Sequence, residues 1–146
     1  MKPRVFVDAN IPMYAAGAEH PLKAPCLRVL EAAARGYVAA VTDAEVLQEI
    51  MHRYASLNRQ EQGAEVVELF MHVLQDVLPV TREDLVLALT LYREHVQVQA
   101  RDTVHAAVMR SHGVTVIVTA DRHFDQLVGL RRIDPLDFER FVKEGG

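Results

Sequence analysis

The chain has one cysteine, Cys26, and no tryptophan. A single cysteine cannot form an internal disulfide, so stability has to come from a core, and a reducing, cytoplasmic compartment is expected. Cys26 itself is expected to be a small buried apolar residue. No apolar run approaches the roughly 20 residues that cross a bilayer. Met1-Lys2-Pro3-Arg4 leads into a short strand and an aspartate, not into the pattern of a signal peptide. No association with a membrane is expected. There is no large charge of one sign: the net value of −4 favours solubility and leaves room for local basic patches. Aromatics are few, five Phe and four Tyr, and most fall on apolar faces, so no base-stacking platform is evident. Repeats, low-complexity tracts and linkers are absent. So are a glycine-rich phosphate loop, a Cys/His zinc spacing and a Ser-His-Asp arrangement.

What the chain does have is apolar content. Half of its 146 residues are apolar and a quarter are charged, which suits one globular domain spanning 1–146. Short β-favouring runs alternate with helical spacings. Residues 5–7, 37–41 and 115–118 read as buried strands, 77–80 as an edge strand because of Pro79, and 130–133 as a last strand. Helices are predicted from Asn10, over 22–35 up to Gly36, from Thr42 to about 57, over 60–75, over 82–95 after the cap Thr81 with Asp84 three residues on, from Asp102 or Thr103 to about 113, and over 121–127. Asp134-Pro135 opens a final helix. The alternation implies an α/β fold with a parallel sheet covered on both faces, whose strands open their C-terminal ends on one edge. Ligands bind such sheets at that edge, where the strand order reverses.

Four carboxylates stand near strand ends or helix starts: Asp8, Glu49, Asp102 and Asp121. Asp8 follows the first strand directly and Asp121 lies three residues after the fourth. Asp102 needs a crossover helix that starts above the same edge, with residues 96–101 as the loop that carries it there. Each has a plainer explanation. Asp102 and Asp121 are possible N-caps, worth ~1 kcal/mol each. Glu45 fits a capping box with Thr42, which leaves Glu49 as the better ligand candidate, although Glu49 could also pair with Arg53 at ~0.2–0.5 kcal/mol. Together the acids are harder to dismiss. Two such charges ~4 Å apart repel by about 4 kcal/mol at an effective dielectric of 20. Mg2+ or Mn2+ would compensate, since hard ions prefer carboxylate and water oxygens. Asn10 reads as a helix cap or a contact at the rim, Thr119 as a rim contact, and His105 and His123 as core or surface histidines. Arg101, Arg122, Lys23, Arg53 and Arg59 are possible phosphate contacts or ordinary surface charge.

Four pieces of the sequence resemble the PIN-domain nucleases: Val5-Phe6-Val7-Asp8-Ala9-Asn10, Leu47-Gln48-Glu49-Ile50, Arg101-Asp102-Thr103-Val104-His105-Ala106-Ala107 and Val118-Thr119-Ala120-Asp121-Arg122-His123-Phe124-Asp125. They occur in family order, and the resemblance runs from residue 4 to about 138. It implies a three-layer α/β/α fold with a parallel sheet of about five strands in the order 3-2-1-4-5. It places the family's acidic quartet on Asp8, Glu49, Asp102 and Asp121 and an accessory acid on Asp125, with Glu45 open as an alternative to Glu49. It further implies a metal-dependent ribonuclease using Mg2+ or Mn2+. Many small single-domain members that resemble this chain are VapC-type toxins of type II toxin–antitoxin pairs, commonly dimeric, so the resemblance implies an RNA substrate, a homodimer and a cognate antitoxin. A non-catalytic RNA-binding module and a metal-dependent phosphatase are the alternatives.

Overall fold

The computed structural model of the protein describes residues 2–146. Five strands, β1 (Arg4–Val7), β2 (Ala39–Asp43), β3 (Asp76–Leu78), β4 (Val116–Val118) and β5 (Arg131–Ile133), form one parallel sheet in the order β3-β2-β1-β4-β5. Among the described residues seven α-helices connect or flank them: α1 (Asn10–Ala16), α2 (Lys23–Ala34), α3 (Ala44–Ser56), α4 (Gln60–Val73), α5 (Arg82–Glu94), α6 (Ala100–Ser111) and α7 (Phe138–Lys143). The sheet order is the one the resemblance implies.

β1 is central because its side chains can be buried on both faces, as a parallel strand requires. Val5, Phe6 and Val7 are fully buried, and Phe6 lies in register with Val41 of β2 and Ile117 of β4. β3 and β5 take the edges, and Pro79 falls just past β3, where its missing N–H costs no ladder bond. Gly63 lets α4 pack directly on α3: a Cβ at that position would stand 2.7 Å from Cβ of Tyr54.

Several expected boundaries shift by a residue or two, and three of the shifts move a polar side chain. β2 runs two residues beyond the predicted end, to Asp43. Thr42 is therefore a strand residue whose buried hydroxyl donates to the carbonyl of Val7 at 2.8 Å, and the expected capping box with Glu45 does not form. Asp43 caps α3 instead, its Oδ1 accepting from Val46 N at 2.9 Å. An N-cap residue has extended backbone, so the last strand residue can serve both elements. α6 starts at Ala100 behind Gln99, so Asp102 sits inside the first turn and caps nothing. α1 starts behind Ala9 with no side-chain cap, which frees the Asn10 amide for other partners. The capping box of Thr81 and Asp84 on α5 forms as expected. Asp121 and Asp134 do cap, but each opens a 3-10 turn, at Arg122–Gln126 and Pro135–Asp137, and α7 follows the second.

The topology sets three polar residues side by side at the C-terminal edge. Asp43 ends β2, Asp8 follows β1, and Thr119 follows β4, on three adjacent strands. The backbone N–H of Asp8 continues the ladder to the carbonyl of Val118 at 3.2 Å. The strand order reverses at β1, which is where a ligand site is expected.

Candidate metal centre

Asp8 is buried and firmly oriented. Its Oδ1 accepts from Ala9 N at 2.8 Å, and its Oδ2 accepts from the Thr119 hydroxyl at 2.7 Å and from the Asn10 amide at 3.3 Å. Asn10 also donates to Thr119 Oγ1 at 2.9 Å and accepts from Ala120 N at 3.2 Å. Thr119 Oγ1 accepts from Asp121 N at 3.1 Å. This network ties the ends of β1 and β4 together and sets the turn that carries Asp121. Asn10 and Thr119 thus act inside the site, and the helix-cap reading of Asn10 does not apply.

Asp102 comes from the first turn of α6, above the same edge. It is 4 % exposed, and its Oδ2 has no hydrogen-bond partner among the described residues. Burial, with the carboxylates of Asp8 and Asp121 beside it, pushes its pKa up to about 8 against the pull of His105. Asp8 is also raised, chiefly by burial. Glu49 reaches in from α3, where its Oε2 pairs with Arg101 Nη1 at 3.2 Å. Burial opposes its charge, but His105 and Arg101 outweigh burial and hold the carboxyl below its ordinary range. Asp121 is less buried, and its Oδ1 accepts from His123 N at 2.9 Å, with His123 Nδ1 at 3.0 Å. Asp8 and Glu49 offer ligand atoms to one close group, and Asp8 and Asp121 both act on Asp102 electrostatically. Glu45 is not part of the group of ligand atoms that Asp8 and Glu49 form. Asp125 is held by Arg132, through Nε at 2.9 Å and Nη2 at 3.3 Å, while Arg132 Nη1 also donates to the carbonyl of Thr119 at 3.1 Å.

Two residues at the site escaped the reading of the sequence as site residues. His105 is completely buried one turn after Asp102, with Nδ1 2.8 Å from Asp43 Oδ2 and Nε2 3.9 Å from Glu49 Oε1. Burial lowers its pKa, but Asp43, Glu49 and Asp8 more than offset this and hold it well above 6.5. One ligand atom each from Asp8, Glu49 and His105 lies within 4.8 Å of the others. The spacing of Asp102 and His105, three apart on a helix, puts both on one face and was the available signal. Asp43 carried a weaker one, an aspartate between a β-branched run and a helix.

The arrangement fits a divalent cation. Asp102 presents a buried oxygen, and His105 a buried Nε2, that nothing in the described residues satisfies. Buried polar atoms normally have partners, and a cation bound by hard oxygen donors would supply one. Beside Glu49, residues Asn10, Met13, Tyr14 and Arg53 line a cleft of about 260 Å³ through which a polymer backbone could approach. Of the other candidate phosphate contacts, Arg101 is committed to Glu49 and Lys23 to the carbonyl of Gly17 at 2.6 Å.

The chain is similar to known proteins along most of its length. The family described as PIN domain matches residues 5–130. Ribonuclease VapC13 of Mycobacterium tuberculosis is 42 % identical over 129 residues, covering 88 % of this chain and 98 % of the relative. Ribonuclease VapC23 of the same organism is 36 % identical over 117 residues, covering 80 % and 92 %. Among solved structures, VapBC2 of Rickettsia felis bound to a promoter DNA fragment superposes with a TM-score of 0.71 at 18 % identity, covering 90 % of this chain and 98 % of that one. The chain belongs to the PIN-domain family and groups within it with the VapC proteins.

Proposed function

We propose that the protein is a metal-dependent ribonuclease that cleaves RNA phosphodiester bonds, the toxin of a type II toxin–antitoxin pair. The observation that carries the reading is the buried Asp102 carboxylate with an unpartnered oxygen, set against Asp8 and Asp121. A scaffold with no chemistry to perform has no reason to keep that repulsion, which disfavours a non-catalytic module. The names of the relatives support RNA as substrate, and solved toxin–antitoxin complexes of the same fold support a protein partner.

In this reading Asp8, Glu49, Asp102 and Asp121 hold Mg2+ or Mn2+, and Asp125 is available to a second ion only if it leaves Arg132. Such an ion supplies Lewis acidity toward the phosphate and lowers the pKa of water. The residues of this chain do the positioning. Thr119, Asn10 and Ala9 fix both oxygens of Asp8, so its lone pairs point one way before any ion arrives. Arg101 restrains Glu49, and Arg53 sits at the cleft, where it would meet substrate phosphates as a salt-sensitive contact. The homodimer would use the outer face of α5, where Leu85, Val86, Leu89 and Tyr92 are exposed. No helix among the described residues is long and apolar enough to cross a membrane, and a cytoplasmic site of action follows from the RNA substrate.

The test is RNA cleavage by the purified protein with Mg2+ or Mn2+, compared with Asp8→Asn. Asparagine keeps the shape of the side chain and an acceptor for Ala9 N, but its amide nitrogen cannot accept from Thr119 and Asn10; loss of at least ~100-fold in rate with an unchanged circular dichroism spectrum is expected. Full activity in the variant would refute the assignment, and release of phosphate from small monoesters with RNA left intact would favour a phosphatase.

A further inference from the structure

We propose that His105 is a nitrogen ligand of the metal centre, which makes the site selective for a first-row transition ion over Mg2+. The inference rests on the metal-dependent reading above and adds a donor to it.

His105 Nε2 is buried, without a hydrogen-bond partner among the described residues, and aimed at the carboxylates. Its distance of 3.9 Å from Glu49 Oε1 is too long for a hydrogen bond. The other ring nitrogen is accounted for. A carboxylate only accepts, so Nδ1 carries the proton it shares with Asp43 Oδ2 at 2.8 Å. Asp43 is itself immobilised, because its Oδ1 holds the N-terminus of α3 through Val46 N at 2.9 Å. The ring packs against Phe6, with centroids 5.5 Å apart, which limits its rotation. A fixed carboxylate orienting Nδ1–H while Nε2 faces a cluster of acids is the arrangement that supports metal-ligating histidines. A histidine placed only to fill space would not need both nitrogens aligned in this way.

The donor set has a consequence for the ion. Carboxylates alone suit Mg2+ and Mn2+, whereas an imidazole favours ions further along the Irving–Williams order. Ligation exchanges the Nε2 proton for the ion, and that proton leaves to solvent. The ligand class is therefore a divalent transition ion such as Mn2+, Fe2+ or Co2+.

Pulsed EPR of the Mn2+-loaded full-length protein reads the proposal directly. A 14N coupling of the size given by a coordinated imidazole is expected, and it is expected to vanish in His105→Gln. Calorimetric titration provides the second reading: His105→Gln loses roughly 10–100-fold in Co2+ affinity and keeps its Mg2+ affinity within about threefold. If His105→Gln does not fold, Asp43→Asn replaces it. Asn caps helices as well as Asp, but its amide donates to Nδ1 and forces the proton onto Nε2, so the coupling should again disappear. Mn2+ bound with no nitrogen coupling in the wild type overturns the proposal, as does an equal loss of Mg2+ and Co2+ affinity in His105→Gln, the result for a residue that only packs or counters charge. If no ion binds the wild type, the metal-dependent reading itself fails. The two failures are thus distinguishable.

Discussion

Asp102→Asn should stabilise the metal-free protein, and only at neutral to alkaline pH. Asp102 is held neutral in the fold up to about pH 8, against an ordinary value of 3.8. The folded state therefore binds a proton through this window that the unfolded chain has already released. Stability conferred by that proton is complete below about pH 4, declines as pH rises, and is gone above about pH 8. Asparagine cannot ionise, so it removes the decline. Between pH 5 and pH 8 the interval is three pH units, which at 1.36 kcal/mol each gives about 4 kcal/mol as a ceiling. Water drawn into the pocket and small movements of Asp121, which is partly exposed, reduce the recoverable part to about 2 kcal/mol. For a chain of this size that is roughly 4–8 °C in Tm.

The assay is thermal unfolding of wild type and Asp102→Asn after exhaustive chelation, at one protein concentration, in steps from pH 5 to pH 8.5. The expected result is a gap that is small at pH 5 and widens steadily in favour of the variant. Saturating Mn2+ should then raise the wild type more than the variant and narrow the gap, because bound metal stabilises the native state in proportion to its affinity. A gap that is flat with pH, or a variant that is less stable throughout, would refute the reasoning. It would mean that the unpartnered oxygen is already satisfied and that the acids do not feel one another.

Other consequences can be checked more simply. Gly63→Ala should destabilise the fold by about 1–2 kcal/mol in urea: alanine is favoured over glycine in a helix by ~1 kcal/mol, but a Cβ placed 2.7 Å from Tyr54 Cβ forces α3 and α4 apart, and a stabilised variant would show that the helix pair can separate freely. Cys26 should be inert toward a disulfide reagent at pH 8 in the native protein and react fully in denaturant, since burial, with the charge of Asp134, pushes its thiol up to about 12; rapid native labelling would contradict this. Leu89→Glu, at a side chain already half exposed, should leave the melting temperature of the subunit nearly unchanged while shifting the protein from dimer to monomer in light scattering, and an unchanged mass would move the dimer interface away from α5.

The parts of the fold that follow from side-chain periodicity were legible in the sequence. Val5-Phe6-Val7 and Val116-Ile117-Val118 are continuous apolar runs, and both prove to be interior strands, fully buried except at the partly buried Val116. The misreadings cluster at the junctions between strand and helix, where one extended residue satisfies both patterns. Thr42 and Asp43 are both good N-caps by composition, and what decides between them is the length of β2, set by pairing with β3 at Asp43 and Leu78. Asn10 was open between cap and site, and the fold decided for the site because Thr119, 109 residues away, offers its amide a partner at 2.9 Å. The sequence reads His105 as a core or surface histidine, since a metal mechanism needs no general base from it. That it meets Asp43 depends on α6 packing over the end of β2, a contact across 62 residues that no local pattern encodes.

The site treats its carboxylates in three different ways, and the difference assigns the work. Asp8 is served by protein donors: a backbone N–H, a hydroxyl and an amide. Glu49 is served by cations, Arg101 and His105. Asp102 Oδ2 receives no hydrogen bond from the described residues and is crowded by Asp8 and Asp121 instead. Had the fold been shaped for stability alone, a donor for Asp102 would be the cheapest repair available, since a single hydrogen bond to a charged group contributes about 1.5–3 kcal/mol. Its absence leaves one acid whose charge depends on something the chain does not carry. Of the quartet, Asp102 is therefore the residue whose substitution should most weaken the coupling between cation binding and stability, while Asp8 is the one whose orientation the protein has fixed in advance.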